Sequence, residues 1–80
     1  MKKNSETRKL VRERNKILYS LDVEAYKNYL RDNGAFVPDR PDWFWRGSMA
    51  KAIMNIENAP ESKRIWARGV LNQLGWSEEL

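Results

Sequence analysis

The sequence predicts an all-α fold, a compact single domain of four helices spanning residues 1–80. Apolar residues recur at helical spacing in four segments, and no segment alternates apolar and polar residues for long enough to form a strand. Gly34 and Gly75 each follow one of these segments, where a left-handed glycine ends a helix. A chain of 80 residues without cysteine is the size of one domain with a thin core.

The first helix is predicted from Ser5 to Tyr19, with residues 1–4 frayed. Ser5 is a suitable N-cap, and Glu6 places a negative charge in the first turn, where the helix dipole favours it. Five apolar residues at helical spacing predict a stripe that faces the core: Leu10, Val11, Ile17, Leu18 and Leu21.

The second helix has clear signals at both ends. Asp22 is a favourable N-cap, and Leu21 and Tyr26 have the spacing of a hydrophobic staple around it. Asn33 and Gly34 end the helix, because Gly34 can adopt the left-handed conformation of a C-terminal cap.

An irregular segment, residues 35–41, separates the second helix from the third. Pro38 and Pro41 each disfavour helical conformation in the preceding residue. We expect Phe36 and Val37 to pack against the core and hold this segment down.

The third helix is predicted from Asp42 to Glu57. Gly47 weakens it by about 1 kcal/mol relative to alanine, or marks a break with a fresh start at Ser48. The inward face is predicted to contain Met49, Ala52, Ile53 and Ile56.

The fourth helix is predicted to start at Asn58 as N-cap, with Pro60 in the first turn and Glu61 completing a capping box. Gly75 ends it, and Trp76 is placed to fold back on Leu71. The buried face is predicted to contain Trp66, Ala67, Val70, Leu71 and Leu74.

The composition argues against catalysis. The chain contains no histidine and no cysteine, and its eleven carboxylates are scattered along the sequence. No calcium loop, phosphate-binding loop or dinucleotide-binding glycine pattern is present, so we expect no enzyme, metal or cofactor. No apolar run approaches the roughly 18 residues of a spanning helix, and the absence of cysteine is typical of a cytoplasmic protein.

The positive charge is concentrated near the N-terminus. The net charge is +4, and residues 1–20 carry seven basic and two acidic groups. Arg8, Lys9, Arg12 and Lys16 are predicted to share an exposed face of the first helix. Such a face suits nucleic acid or an acidic protein surface, and a solvated face that aids solubility remains the alternative.

The second candidate site is the aromatic segment around the start of the third helix. Successive helical residues differ by about 100°, so Trp43, Phe44 and Trp45 cannot all face one core. Tryptophan and arginine are enriched at interface hot spots, and Arg40 and Arg46 flank these rings. The segment therefore predicts partner binding through Arg40, Trp43, Phe44 and Arg46, unless residues 35–41 fold over the rings and complete the core.

Several short motifs between residues 43 and 80 resemble the ends of small bacteriophage and prophage proteins. These motifs are Met49-Ala-Lys-Ala-Ile53, Ala59-Pro60, Trp66-Ala-Arg68 and Leu74-Gly-Trp-Ser77. The resemblance implies a protein of the anti-CRISPR or host-inhibitor type, which binds and blocks a host protein. It assigns no functional residue.

The sequence therefore predicts a small non-catalytic interaction protein whose partner is a host protein or protein–nucleic-acid complex, such as a nucleic-acid-handling defence system. The alternative is a module that binds nucleic acid directly through the basic first helix. We expect no membrane association, because the apolar face of the first helix is needed for the core of so small a domain.

Overall fold

A computed structural model describes the backbone of residues 2–77 and the side chains of residues 8–77. Four helices fill most of this range: α1 (Lys2–Tyr19), α2 (Val23–Asp32), α3 (Asp42–Met54) and α4 (Glu61–Leu74). None of the described residues lies in a strand. The predicted all-α, four-helix domain is therefore confirmed.

Helix α1 is longer and less buried than predicted. It begins at Lys2, so Ser5 lies inside the helix rather than at its N-cap, and residues 2–4 are helical rather than frayed. Of the predicted apolar stripe, Leu18 alone is buried, whereas Leu10 is 55% exposed and Val11 is 40% exposed. The stripe prediction was wrong for these two residues, because no other described element covers them.

Helix α2 follows the sequence prediction closely. The backbone N–H of Ala25 donates a hydrogen bond of 3.2 Å to Asp22 Oδ1, which confirms Asp22 as N-cap. At the other end Gly34 has a φ of +80°, and the Ala35 N–H donates to the Leu30 carbonyl over 2.9 Å. These features form a Schellman-type end, as the Asn33-Gly34 pair predicted.

Residues 35–41 do not pack as predicted. Phe36 is 86% exposed, so the expectation that it packs against the core was wrong, although Val37 is half-buried. Pro41 is the N-cap residue of α3, with extended backbone angles. Its ring fixes φ near the value that the start of α3 requires.

Helix α3 runs without a break through Gly47 and ends at Met54, three residues before the predicted end. Gly47 is buried because α3 lies against Trp76 and Leu74 at this position. The glycine therefore allows close packing, and the fresh start at Ser48 is not observed.

Helix α4 begins at Glu61 with Pro60 at its N-cap, so the prediction that Asn58 caps it was wrong. The segment before α4 is instead stabilised from within the helix. The guanidinium of Arg64 donates to the carbonyls of Ile56 (3.0 Å), Glu57 (2.9 Å) and Ala59 (3.3 Å). These three carbonyls belong to the connection between α3 and α4, so the bonds tie that segment to the first turn of α4.

The core lies mainly between α3 and α4, and Leu18 of α1 adds to it. Trp66 is only half-buried and packs at its margin. At the end of α4, Gly75 has a φ of +70° and the Trp76 N–H donates to the Leu71 carbonyl over 2.9 Å, as predicted. The main buried cluster comprises Leu18, Met49, Ala50, Ile53, Ala59, Ala67, Val70 and Leu71.

Candidate interaction surfaces

The three aromatic residues in the first turn of α3 differ in how deeply they are buried. Trp45 is buried at 4% exposure, Phe44 is half-buried and Trp43 is 52% exposed. This separation follows from the 100° rotation between successive helical residues. Residues 35–41 therefore do not bury all three rings: Trp45 belongs to the interior, while Trp43 reaches the surface.

Trp76 joins Trp43 and Phe44 from the end of α4. Its ring centroid lies 6.1 Å from that of Trp43 and 6.1 Å from that of Phe44, both in edge-to-face geometry. Phe44 in turn lies 5.4 Å from Trp45. Edge-to-face pairs at these separations are favourable beyond the area that they bury. The rings therefore form a fixed cluster rather than independent side chains.

Two arginines border this cluster. The Arg40 guanidinium lies 5.9 Å from the Phe44 ring centroid, within the range of a cation–π contact. Arg46 is exposed and follows Trp43 by three residues, so the two lie on adjacent turns of one side of α3. We call the set Arg40, Trp43, Phe44, Arg46 and Trp76 the aromatic patch.

The close approach of Trp76 depends on Gly47. A Cβ atom at position 47 would lie 2.8 Å from both Trp76 Cε3 and Leu74 Cδ1, closer than carbon atoms pack. Because Gly47 has no side chain, the Trp76 ring can pack directly against α3 at this position. The Lys51 ammonium, one turn further along α3, lies 5.7 Å from the centroid of the same ring.

Trp45 connects the patch to the interior. Its ring meets the edge of Tyr26 at 6.3 Å, and the Lys27 ammonium lies 5.9 Å from its centroid. Within the described part of the chain, the buried Trp45 Nε1 has no hydrogen-bond partner. Burial and the neighbouring Tyr29 raise the pKa of Tyr26, while Arg14 acts in the opposite direction.

The predicted basic face of α1 is exposed. Arg8, Lys9, Arg12 and Lys16 are all solvent-accessible. An open depression of about 700 Å³ lies along α1, and a second of about 400 Å³ adjoins it through Arg12 and Asn15. We call this surface the α1 face; it is lined by Arg8, Val11, Arg12, Asn15, Lys16, Tyr19 and Ser20.

A third cavity, of about 420 Å³, lies between α1 and α3. Arg14 and Lys51 supply positive charge, and Leu18 and Ile56 contribute apolar surface. Its polar groups are largely used within α3, because Ser48 Oγ donates to the Phe44 carbonyl and Asn55 Nδ2 donates to the Lys51 carbonyl. The cavity therefore offers few free groups for a specific ligand.

Across residues 8–77, the structure brings together no group of three or more histidine, cysteine, aspartate or glutamate side chains that would hold a metal ion. Among the described helices, none is both long enough and apolar enough to cross a membrane.

Comparison with known proteins found no matching family model, no matching curated protein and no matching solved structure. The functional argument therefore depends on this chain's own surfaces. The sequence reasoning identified seven residues of these surfaces, and the eighth predicted residue, Lys9, is exposed but does not line the α1 face. The predicted site residues did not include Trp76, Val11, Asn15, Tyr19 and Ser20. Trp76 carried only a helix-ending signal, and nothing in its local sequence indicates that Gly47 lies opposite. Asn15 and Tyr19 follow Arg8 and Arg12 at helical spacing, so their place on the same face of α1 could have been predicted from the sequence.

Proposed function

We propose that this protein is a small, non-catalytic interaction protein that binds another protein through the aromatic patch. The observation that carries the proposal is the exposure of Trp43. About half of this ring is open to solvent while its neighbours hold it in place. A large apolar side chain held in one orientation loses little conformational entropy on binding.

The chemistry around Trp43 matches that of an interface hot spot. Tryptophan and arginine are the residue types most enriched at such sites, and the patch presents Trp43 between Arg40 and Arg46. Arginine side chains there can pair with carboxylates on a partner in a two-pronged geometry. The partner surface that fits best contains an apolar pocket with acidic groups at its edge.

The resemblance to small phage and prophage proteins suggests the biological setting. In that setting the partner is a host protein or protein–nucleic-acid complex in the cytoplasm, and binding blocks its action, as anti-CRISPR proteins do. The patch suits this role because it needs no catalytic group, cofactor or metal.

Affinity capture from a bacterial lysate, with and without nuclease, tests the proposal. We expect the wild-type chain to retain a partner after nuclease treatment. Trp43→Ala and Arg46→Ala should each lower its affinity about tenfold or more, the effect of losing a hot-spot residue. Arg46 is exposed, so Arg46→Ala should change the melting temperature little. Trp43→Ala also loses two ring contacts and should lower it modestly, so affinities are compared at a temperature where both variants are folded.

Two matched controls make the result specific. Phe36→Ala removes another exposed aromatic ring and Arg31→Ala another exposed arginine, both outside the patch. These variants should bind like the wild type. Equal binding by Trp43→Ala and wild type, or equal losses in the two controls, would contradict a role for the patch.

A second candidate function is direct nucleic-acid binding, and the α1 face favours it. Arg8, Arg12 and Lys16 of this face are exposed, and so is the neighbouring Lys9, as phosphate contacts require. The two candidates differ in their dependence on salt, because each neutralised phosphate releases counterions while an aromatic contact does not. Loss of the captured material on nuclease treatment would favour this second function.

A further inference from the structure

The α1 face combines positive charge with an aromatic ring along two adjoining depressions that share Arg12 and Asn15. Arg8, Arg12 and Lys16 recur every four residues, which spaces them by about 6 Å along the helix. Tyr19 continues the same row one turn later. From Arg8 to Ser20 the face extends about 18 Å at the rise of an α-helix.

The depression contains few groups that would repel an anion. The described residues that line it include three cations and no carboxylate. Its neutral members are Val11, Asn15, Tyr19 and Ser20. Asn15 supplies an amide, although its Oδ1 accepts hydrogen bonds from the Arg14 side chain at 3.1 and 3.2 Å. The ligand that matches this lining is a long, negatively charged chain that also carries flat apolar groups.

We propose that the α1 face binds single-stranded nucleic acid, with Arg8, Arg12 and Lys16 on phosphates and the Tyr19 ring stacked on a base. Single strands present unpaired base faces, and stacking on aromatic rings with a basic groove along the backbone is their usual mode of recognition. A duplex hides its base faces, so it would use the cations and leave the Tyr19 ring without a partner. An acidic protein surface could pair with the cations, but it does not combine regularly spaced negative charges with flat rings, as a nucleic-acid strand does.

The position of Tyr19 suits stacking. The residue is half-buried, because part of it packs against the core cluster while the rest lines the depression. Packing on one side orients the ring before a base arrives. Val11, which is 40% exposed, provides a second apolar contact further along the same face.

This inference rests on the second candidate function and refines it. The test uses fluorescence anisotropy with a labelled oligothymidine of about 15 nucleotides, within the site sizes of single-strand binding folds. Oligouridine of equal length distinguishes RNA from DNA, and a duplex of equal length tests the preference for single strands. We expect tighter binding to the single strands than to the duplex. The logarithm of the binding constant should fall with the logarithm of salt concentration at a slope of about −2 to −3, for three or four phosphate contacts.

Variants at Tyr19 test stacking apart from folding. Tyr19→Leu keeps an apolar side chain against the core but removes the ring, so oligothymidine affinity should fall about fivefold or more. Tyr19→Phe keeps the ring and should bind like the wild type. Tyr29→Leu is the matched control, because Tyr29 is also half-buried but lies on α2 outside the face.

Charge variants test the backbone contacts. Replacement of Arg8, Lys9, Arg12 and Lys16 together by glutamine should abolish measurable binding and leave the circular dichroism spectrum unchanged. Arg31→Gln combined with Arg68→Gln removes exposed arginines elsewhere and should retain most of the affinity.

Three results would overturn the inference. Equal affinity for duplex and single strand would leave a nucleic-acid-binding function but remove the stacking site. Equal losses in Tyr19→Phe and Tyr19→Leu would show that the ring face is not used. Failure to bind any of the oligonucleotides would remove the inference and the second candidate function together, while the protein-binding function would still stand or fall by the Trp43 variants.

Discussion

Residues 8–14 of α1 and the facing pair α3–α4 are built from similar sequence patterns but differ in burial. In α3 and α4, residues such as Met49, Ile53 and Ala67 are completely buried. In α1, every described residue from Arg8 to Arg14 is exposed, and Leu18 is the one buried side chain. Both regions carry apolar residues at helical spacing.

The difference shows that an apolar stripe predicts a helix better than it predicts burial. A helix of 18 residues is about 27 Å long, and its described residues are covered by other elements only from Asn15 onward. Leu10 and Val11 lie beyond that cover. Residues 8–14 also carry four exposed basic side chains, so the described part of α1 that adds least to the core offers a largely positive surface.

The largest contrast in stability should appear between Ile53 and Leu10. Ile53 is fully buried, so Ile53→Ala should lower the free energy of unfolding by about 2–5 kcal/mol. Leu10→Ala should change it by less than about 0.5 kcal/mol, as is typical of accessible positions. Urea denaturation followed by circular dichroism measures both. A loss above about 1.5 kcal/mol for Leu10→Ala would mean that residues 8–14 of α1 are covered in solution.

A second contrast compares Arg64 with Asn58. Arg64 supports the α3–α4 connection in the structure, whereas the sequence predicted Asn58 as the cap of α4. Arg64→Ala removes three hydrogen bonds to carbonyls and should cost about 1–3 kcal/mol, reduced by the partial exposure of the guanidinium. Asn58→Ala should cost less than about 0.5 kcal/mol, because Pro60 occupies the N-cap. Thermal denaturation of the two variants measures both losses of stability. A larger loss for Asn58→Ala than for Arg64→Ala would restore Asn58 as the cap.

The smallest expected effects on stability concern two helical glycines, Gly69 and Gly47, and they differ in sign. Gly69→Ala should stabilise the protein by up to about 1 kcal/mol, because a Cβ there meets no atom within 4 Å and alanine favours a helix. Gly47→Ala gains the same preference but forces Trp76 and Leu74 away, an overpacking that costs about 1–3 kcal/mol. We therefore expect a net loss of roughly 0–2 kcal/mol at position 47.

The same pair of variants connects packing with the aromatic patch. Displacement of Trp76 in Gly47→Ala should change the tryptophan fluorescence spectrum, whereas Gly69→Ala should leave it as in the wild type. Stabilisation by both substitutions, with unchanged fluorescence, would show that Trp76 does not pack against α3 in solution.

The sequence by itself determined the elements of the fold and where several of them end. Asp22, Gly34 and Gly75 act through their own backbone and their nearest neighbours, so their effects are visible in a short stretch of residues. The sequence also determined that Trp43, Phe44 and Trp45 must face different ways, since helix geometry alone requires it. The accessibility of the four basic residues of α1 followed in the same way, because charged side chains remain in water unless they are paired.

Only the tertiary structure decided which of these local features found a partner. It placed Trp76 against Gly47, set the Arg64 guanidinium on the carbonyls of the α3–α4 connection, and left Leu10, Val11 and Phe36 exposed. Each outcome depends on residues far apart in the chain, whose separation is fixed by how the helices pack rather than by any local signal. The physical reason is that a cap or a helix needs only its neighbours along the chain, whereas burial and surface shape need the surfaces of other elements.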